Sequence, residues 1–162
     1  MGKRHIIYSY TEGGGPSPMD ERPEGASETF SRGAPLVDDG SGRLEEAGTN
    51  DTDWVGFALE DGHNNSTEGA AIIGFVKALP STVFQGYIDD GGSEGTGASA
   101  ATQVGQEYGL TKASSGGAWY VDINKTGANG RVRVQRLIDD AGTTLGRVLF
   151  KVTSDQLDLN DS

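Results

Sequence analysis

Cysteine is absent from the chain, which excludes disulfides, thiolate metal sites and a thiol nucleophile. Apolar residues are scarce, at 34% of the total against the usual 45–50% or so. No apolar run approaches the roughly 18 residues of a membrane span. The opening Met1-Gly-Lys-Arg-His-Ile-Ile-Tyr8 is basic but lacks the apolar stretch of a secretory signal. Ile6 stands where an N-myristoylation signal needs Ser or Thr. The sequence therefore predicts a soluble product with no secretion signal and no membrane partner.

Glycine is abundant. Its 26 residues in a chain of 162 assign much of the length to turns and loops. The size fits one domain with a thin core, to which an oligomer or scaffold could add stability. The net charge of −11 argues against direct binding of nucleic acid, because phosphate affinity needs cations. The charge is unevenly spread: −12 up to Asn124, +4 from Lys125 to Lys151, and −3 beyond.

The region from Tyr108 to Val152 organises the rest. It contains Tyr108-Gly-Leu110, Trp119-Tyr-Val-Asp-Ile123, Arg131-Val-Arg-Val-Gln-Arg-Leu137 and Gly146-Arg-Val-Leu-Phe-Lys-Val152. Each run alternates between faces and ends in turn-forming residues, as antiparallel strands do. Upstream, Leu36–Leu44 reads as a hairpin turning at Asp39-Gly40. Trp54–Leu59, Ala70–Leu79 and Val83–Ile88 read as strands, and Ala100–Tyr108 as one or two helical turns ending at Gly109. The expected core comprises Val55, Phe57, Ile72, Val76, Phe84, Trp119, Val121, Val132, Val134, Val148 and Phe150. The fold class is all-β, a small antiparallel barrel or sandwich of about seven to nine strands.

Three zones follow. Residues 1–33 are rich in Gly and Pro (Gly13-Gly-Gly-Pro-Ser-Pro18) and read as an extended N-terminal arm. Its anchors Ile6, Ile7, Tyr8 and Tyr10 would dock on a neighbour, so that deleting the arm would leave the domain folded. Residues 34–152 form the β-domain and 153–162 an acidic tail.

Catalytic signatures are missing. No G-x-x-x-x-G-K-[ST] loop occurs, and neither Gly13-Gly-Gly nor Gly91-Gly lies between a strand and a solid helix. His5 and His63 lack zinc-ligand company, and His63 reads as simply exposed. The pairs Asp38-Asp39, Asp89-Asp90 and Asp139-Asp140 could hold Ca²⁺ or act as acid and base. Each sits beside a glycine, where turn chemistry explains it without a ligand. No G-x-S-x-G elbow is present. Trp119-Tyr120 near Arg131 and Arg133 could stack bases, but alternation assigns Trp119, Val121 and Ile123 to the core. Neither catalytic residues nor a cofactor or metal is expected.

Several pieces, in order, carry a resemblance. They are Gly95-Thr-Gly-Ala98 with Ala101-Thr-Gln-Val-Gly105, Tyr108-Gly-Leu110, Gly117-Ala-Trp-Tyr-Val-Asp122, Thr126-Gly127, the run to Leu137-Ile-Asp139, and Gly146-Arg-Val-Leu-Phe150, preceded by Gly33-Ala-Pro-Leu-Val37 and Val55-Gly-Phe-Ala-Leu59. Over residues 33–152 the chain resembles the head decoration, or cement, proteins of tailed bacteriophages. The resemblance implies a β-tulip-like domain, a homotrimer on the outer surface of an icosahedral capsid, and reinforcement against DNA pressure without a reaction. It implies the major capsid protein as partner, neighbouring decoration subunits reached through the arm, and a virion location after synthesis in host cytoplasm. The arm and the strong acidity fall outside the resemblance.

Two competing classes are a carbohydrate-binding β-sandwich, with Trp54, Tyr87, Tyr108 and Tyr120 as sugar platforms, and a hydrolase built on a carboxylate pair. Within the barrel, pairing Arg131–Leu137 with Arg147–Val152 would send Val132, Val134, Val148, Phe150 and Val152 inward. It would collect Arg131, Arg133, Arg147 and Lys151 on the other face, a cationic patch seeking an acidic subunit or capsid surface.

Overall fold

Short apolar runs separated by Gly, Asn and Asp satisfy their backbone groups only by pairing with one another. In the computed structural model, which describes residues 4–91, 95–114 and 117–153, they do so almost completely. The strands are β1 (Ile7–Thr11), β2 (Met19–Pro23), β3 (Pro35–Asp38), β4 (Leu44–Glu46), β5 (Trp54–Ala58), β6 (Ile72–Lys77), β7 (Thr82–Asp89), β8 (Glu107–Lys112), β9 (Trp119–Asp122), β10 (Val132–Leu137) and β11 (Arg147–Val152). Two 3-10 turns, Ala101–Gln103 and Gly127–Asn129, are the only helical elements among the described residues. The expected helix over 100–108 is thus a single turn: the chain is already extended at Val104 (ψ 129°), and Gly105 at φ +83° then leads it into β8.

The first sheet runs β1-β7-β11-β10-β8-β9. Its last strand returns to β7 through a parallel pairing, Ile88↔Val121 and Asp89↔Asp122. β7, β11, β10, β8 and β9 therefore close a five-stranded barrel. β1 lies on the same flank of β7 as β9 does, further along, with Tyr8 opposite Phe84 and Thr11 opposite Thr82.

The second sheet runs β2-β6-β5-β3-β4. Glu24, just past β2, makes a parallel bridge to Leu44 at the start of β4. The two edges of this sheet thus meet through that one bridge, and its five strands curl into a second barrel. That explains why β5 is buried at all five positions: one side of it lines the inside of its own barrel and the other faces the first barrel. Inside lie Leu36, Ile73 and Phe75, with Arg22 over the Phe75 ring and ion-paired to Asp38.

Three ties join the barrels. Phe57 of β5 packs on Phe84 of β7 at 4.5 Å between centroids and on Phe150 of β11 at 6.1 Å. Glu46 of β4 accepts from the Trp119 indole N–H of β9 at 2.9 Å and from Lys112 Nζ of β8 at 2.7 Å. Arg131 forms the third tie, described below.

The expected β10–β11 pairing is present, and Val132, Val134, Val148, Phe150 and Val152 are buried as the alternation requires. A bulge between Val134 and Arg136 resets the phase, turning Leu137 toward the core and Arg136 to solvent.

Two expectations are corrected. Ile72 is 50% exposed while Ile73 is fully buried. The run Ala70–Leu79 is apolar on both sides, so periodicity could not phase it, and at its first strand residue the cover of the other barrel has run out. The second correction concerns the arm. Residues 4–33 do not extend away: β1 pairs with β7 and β2 with β6. Ile6, expected as a docking anchor, is 2% exposed in the shared core. The Gly/Pro stretch is the link between two strands rather than a tether. Of the acidic tail, only Thr153 belongs to the described residues.

Two stability predictions follow from this construction. A Cβ on Gly56 would stand 2.0 Å from the Val76 carbonyl oxygen, so Gly56→Ala is expected to lower stability by at least about 1–3 kcal/mol in urea unfolding. Deleting residues 1–33 removes a strand from each sheet together with Glu24. The truncated chain is expected to lose its near-ultraviolet circular dichroism; retention of a native spectrum would restore the detachable arm.

Candidate functional surface

The four cations that alternation grouped on one face each have a partner inside the chain. Arg131 is only 5% exposed. Its guanidinium donates to the carbonyls of Asn50, Asp51, Ala128 and Gly130 at 2.9–3.0 Å, strapping the β4–β5 loop of the second barrel over the first. Arg133 pairs with Glu107, and Lys151 with Glu12. Arg147 clasps Asp139 in a two-pronged bond, Nη2 to Oδ1 at 2.7 Å and Nε to Oδ2 at 3.0 Å, and its backbone N–H donates to the same carboxylate. Those bonds hold the Asp139 carboxyl down at about 2. The cationic patch is therefore corrected: Arg133, Arg147 and Lys151 find carboxylates within the same chain, and Arg131 is spent on backbone carbonyls.

The carboxylate pairs are occupied by turns. Asp38 Oδ1 accepts from the Gly40 and Gly42 amides, and Asp39 Oδ1 from those of Ser41 and Arg43. Asp89, buried where the first barrel closes, accepts from the amides of Asp90, Gly95 and Gly97. Among the described residues, no group of three or more His, Asp or Glu comes together as a metal site. A polar cleft of about 320 Å³ beside the β4–β5 loop is lined by Asp38, Glu45, Asp51 and Asp53.

His63 is not idle at the surface. Its Nδ1 lies 2.6 Å from Glu24 Oε2, and its backbone N–H donates to Glu24 Oε1 at 2.8 Å. The Glu24 side chain is fully buried. The imidazole is raised above its ordinary 6.5 by that bond to Glu24, and the contact pins the β5–β6 loop to the residue that closes the second barrel. Nearby, burial raises the Glu28 carboxyl, although the Glu46 amide donates to it. Nothing in the spacing of Glu24 and His63, 39 residues apart, could have revealed this pair.

The proposed sugar platforms are mostly unavailable. Trp54 is fully buried and Tyr108 nearly so, while Tyr87 and Tyr120 are half-buried. Trp119 and Val121 are in the core, as the alternation assigned them.

Six large apolar side chains are also exposed among the described residues: Ile7 and Tyr10 of β1, Met19 of β2, Ile72 of β6, Leu79 of the β6–β7 connection and Val104, at 40, 46, 63, 50, 37 and 42%. Tyr10 lies opposite Val83 and Met19 opposite Val76. The Glu12 amide donates to Ser81 and that of Lys77 to Pro18. Residues 12–18 therefore wrap the 78–81 turn, which places Tyr10, Met19 and Leu79 at the same end of β1, β2, β6 and β7. Tyr8, half-buried, holds this strand locally through its hydroxyl on Thr11 Oγ1 at 3.0 Å. Exposed large apolar side chains gathered at one place make this end the candidate contact surface. Sequence reasoning singled out Tyr10 and missed Met19 and Leu79, which only tertiary folding brings beside it.

No protein-family model, no curated protein and no solved structure matches the chain.

The electrostatics generate two predictions. Arg131→Gln should cost at least about 1.5–3 kcal/mol, the worth of a charge-assisted hydrogen bond, whereas Arg133→Gln, whose pair is exposed, should cost under about 1 kcal/mol. Urea titrations of the two variants check this, and equal losses would refute the strap. The second concerns His63. Because its folded pKa is raised, its contribution to stability is complete below about 6.5 and is lost as pH rises through the folded value. The unfolding midpoint of the parent chain should fall over that window, and His63→Gln should flatten the profile.

Proposed function

We propose that the chain is a structural, non-enzymatic virion protein that binds the outer surface of an icosahedral phage capsid as a trimer and stabilises it against internal DNA pressure. The ordered resemblance over residues 33–152 supports this reading, as does the all-β architecture. The observation that carries it is the apolar end formed by Tyr10, Met19 and Leu79, on a surface whose cations are largely tied up internally. Three exposed side chains make a weak contact singly. Repeated by trimer and capsid symmetry they give high avidity without a large interface per chain.

In this reading the partners are the major capsid protein and two further copies of the chain. Contact is made by a preformed end of the β-domain and not by a detached arm. No cofactor and no nucleic acid is required.

The test is imaging of capsids assembled with and without the chain, together with their resistance to heat or internal pressure. Bound density at symmetric positions and a raised bursting threshold are expected. Tyr10→Ser with Met19→Ser should abolish attachment while leaving the unfolding free energy within about 1 kcal/mol of the parent, as two surface changes do. Attachment indifferent to this double change would move the contact elsewhere, and absence of any capsid binding would remove the proposal.

A further inference from the structure

The second sheet has one open side. β4 is covered on its outer flank, where the Gly25 amide donates to the Leu44 carbonyl and the Glu46 amide to Glu28 Oε2. Among the described residues β2 pairs only with β6, and the Glu24–Leu44 bridge closes the sheet only beyond the end of β2. Met19, 63% exposed, stands on this strand. A bare strand edge beside an exposed apolar side chain is a template for pairing with another chain.

The ladder fixes which backbone groups the edge shows. Lys77 donates its amide to Pro18, and Glu24 its amide to Ala71. The register between them runs from Met19↔Val76 to Pro23↔Ile72. Alternation then turns the N–H and C=O of Asp20 and Arg22 toward β6, and the backbone groups of Met19, Glu21 and Pro23 outward.

None of those three offers a free donor. The Met19 amide is spent on the Ser17 carbonyl at 2.8 Å, in a tight turn centred on Pro18. Pro23 has no N–H. The Glu21 amide donates to Asp20 Oδ1 at 2.9 Å. Lys77 holds that carboxylate by its other oxygen, Nζ to Oδ2 at 3.2 Å. The Glu21 amide first, and Lys77 as well, keep the Asp20 carboxyl below its ordinary value, so both of its oxygens accept at neutral pH. A strand laid along this edge could donate to the outward carbonyls of Met19 and Glu21. Its own carbonyls would meet no donor, and burying them unpaired opposes the pairing.

We propose that Asp20 guards this edge: its carboxylate, braced by Lys77, masks the one outward amide that the Pro18 turn and Pro23 leave open, and so keeps β2 from pairing with a strand of a second copy. The guard acts in the free chain, whatever surface the apolar end meets. Met19 then contacts a partner through its side chain alone.

The test is the solution mass of the full-length chain over a range of concentrations. High salt keeps the Glu21 carboxylates of two copies from holding them apart. Asp20→Ala should associate as concentration rises, to about twice the parent's mass, as a two-fold strand pair gives. Asp20→Asn keeps an acceptor oxygen for the Glu21 amide and should stay at the parent's mass. Adding Glu21→Pro to Asp20→Ala should restore the parent's mass; because that amide points away from β6, proline there removes no ladder bond. Three results would each overturn the proposal. They are Asp20→Ala behaving as the parent, Asp20→Asn associating as readily, which would make charge the guard, and association that persists with Glu21→Pro, which would place it on side chains instead of the strand edge.

Discussion

Everything in this molecule leans on the contact of Phe57 with Phe84 and Phe150. Each barrel is too small, and the sequence too poor in apolar residues, for either to hold a sufficient core alone. A fully buried phenyl group contributes about 1.5–3 kcal/mol, and a well-placed aromatic pair adds about 0.5–1.5 more. Putting the three rings where the barrels meet lets one set of side chains serve as core for both. Gly56 is the local condition for it, since β5 must lie hard against β6 while both of its sides are covered. The Glu46 clasp and the Arg131 strap then fix the rotation of one barrel on the other.

The polar ties differ from the ring contact in kind. Exposed ion pairs such as Arg133 with Glu107 add little. Arg131 is different, because it satisfies four carbonyls of irregular backbone that no strand could pair. Glu24 acts similarly on the other barrel, its buried carboxylate receiving both N–H groups that His63 offers if the ring donates through Nδ1. With most cations spent on such internal tasks, the excess of acidic residues is left to the outside.

Legibility in the sequence followed the same division. Over Val132–Val134 of β10 and at Val148, Phe150 and Val152 of β11 the apolar residues alternate, and those inward residues are legible directly, whereas the bulge before Arg136 and the burial of Leu149 are not. β5 and β6 are covered on both sides, so their runs announce strands without announcing phase, and nothing local distinguishes exposed Ile72 from buried Ile73. The first 33 residues were misread for a physical reason. β1 and β2 are short edge strands, polar on one side and separated by Gly13-Gly-Gly-Pro-Ser-Pro18, so local composition resembles that of a tether. Their order comes from partners distant in sequence, Ile7 opposite Gln85 and Met19 opposite Val76. The same long range hid the pairing of the cations. A strand face shows which side chains project together, but Asp139, Glu107 and Glu12 reach that face from three separate segments.

Incorporating β1 and β2 into the sheets changes what attachment to a large surface would require. A disordered arm that folds on its target loses ordering entropy at that moment, which weakens binding for a given area. Here Tyr10, Met19 and Leu79 are already held by backbone bonds around the 78–81 turn, so that loss has been absorbed in folding the domain. A preformed end binds as soon as a complementary surface exists and has no folding step of its own to delay it. Selectivity for a mature capsid would then have to reside in the capsid, through subunit spacing that lets several such ends engage at once. If the chain attaches as the proposed trimer, a change in that spacing would alter its avidity far more than the affinity of a single chain.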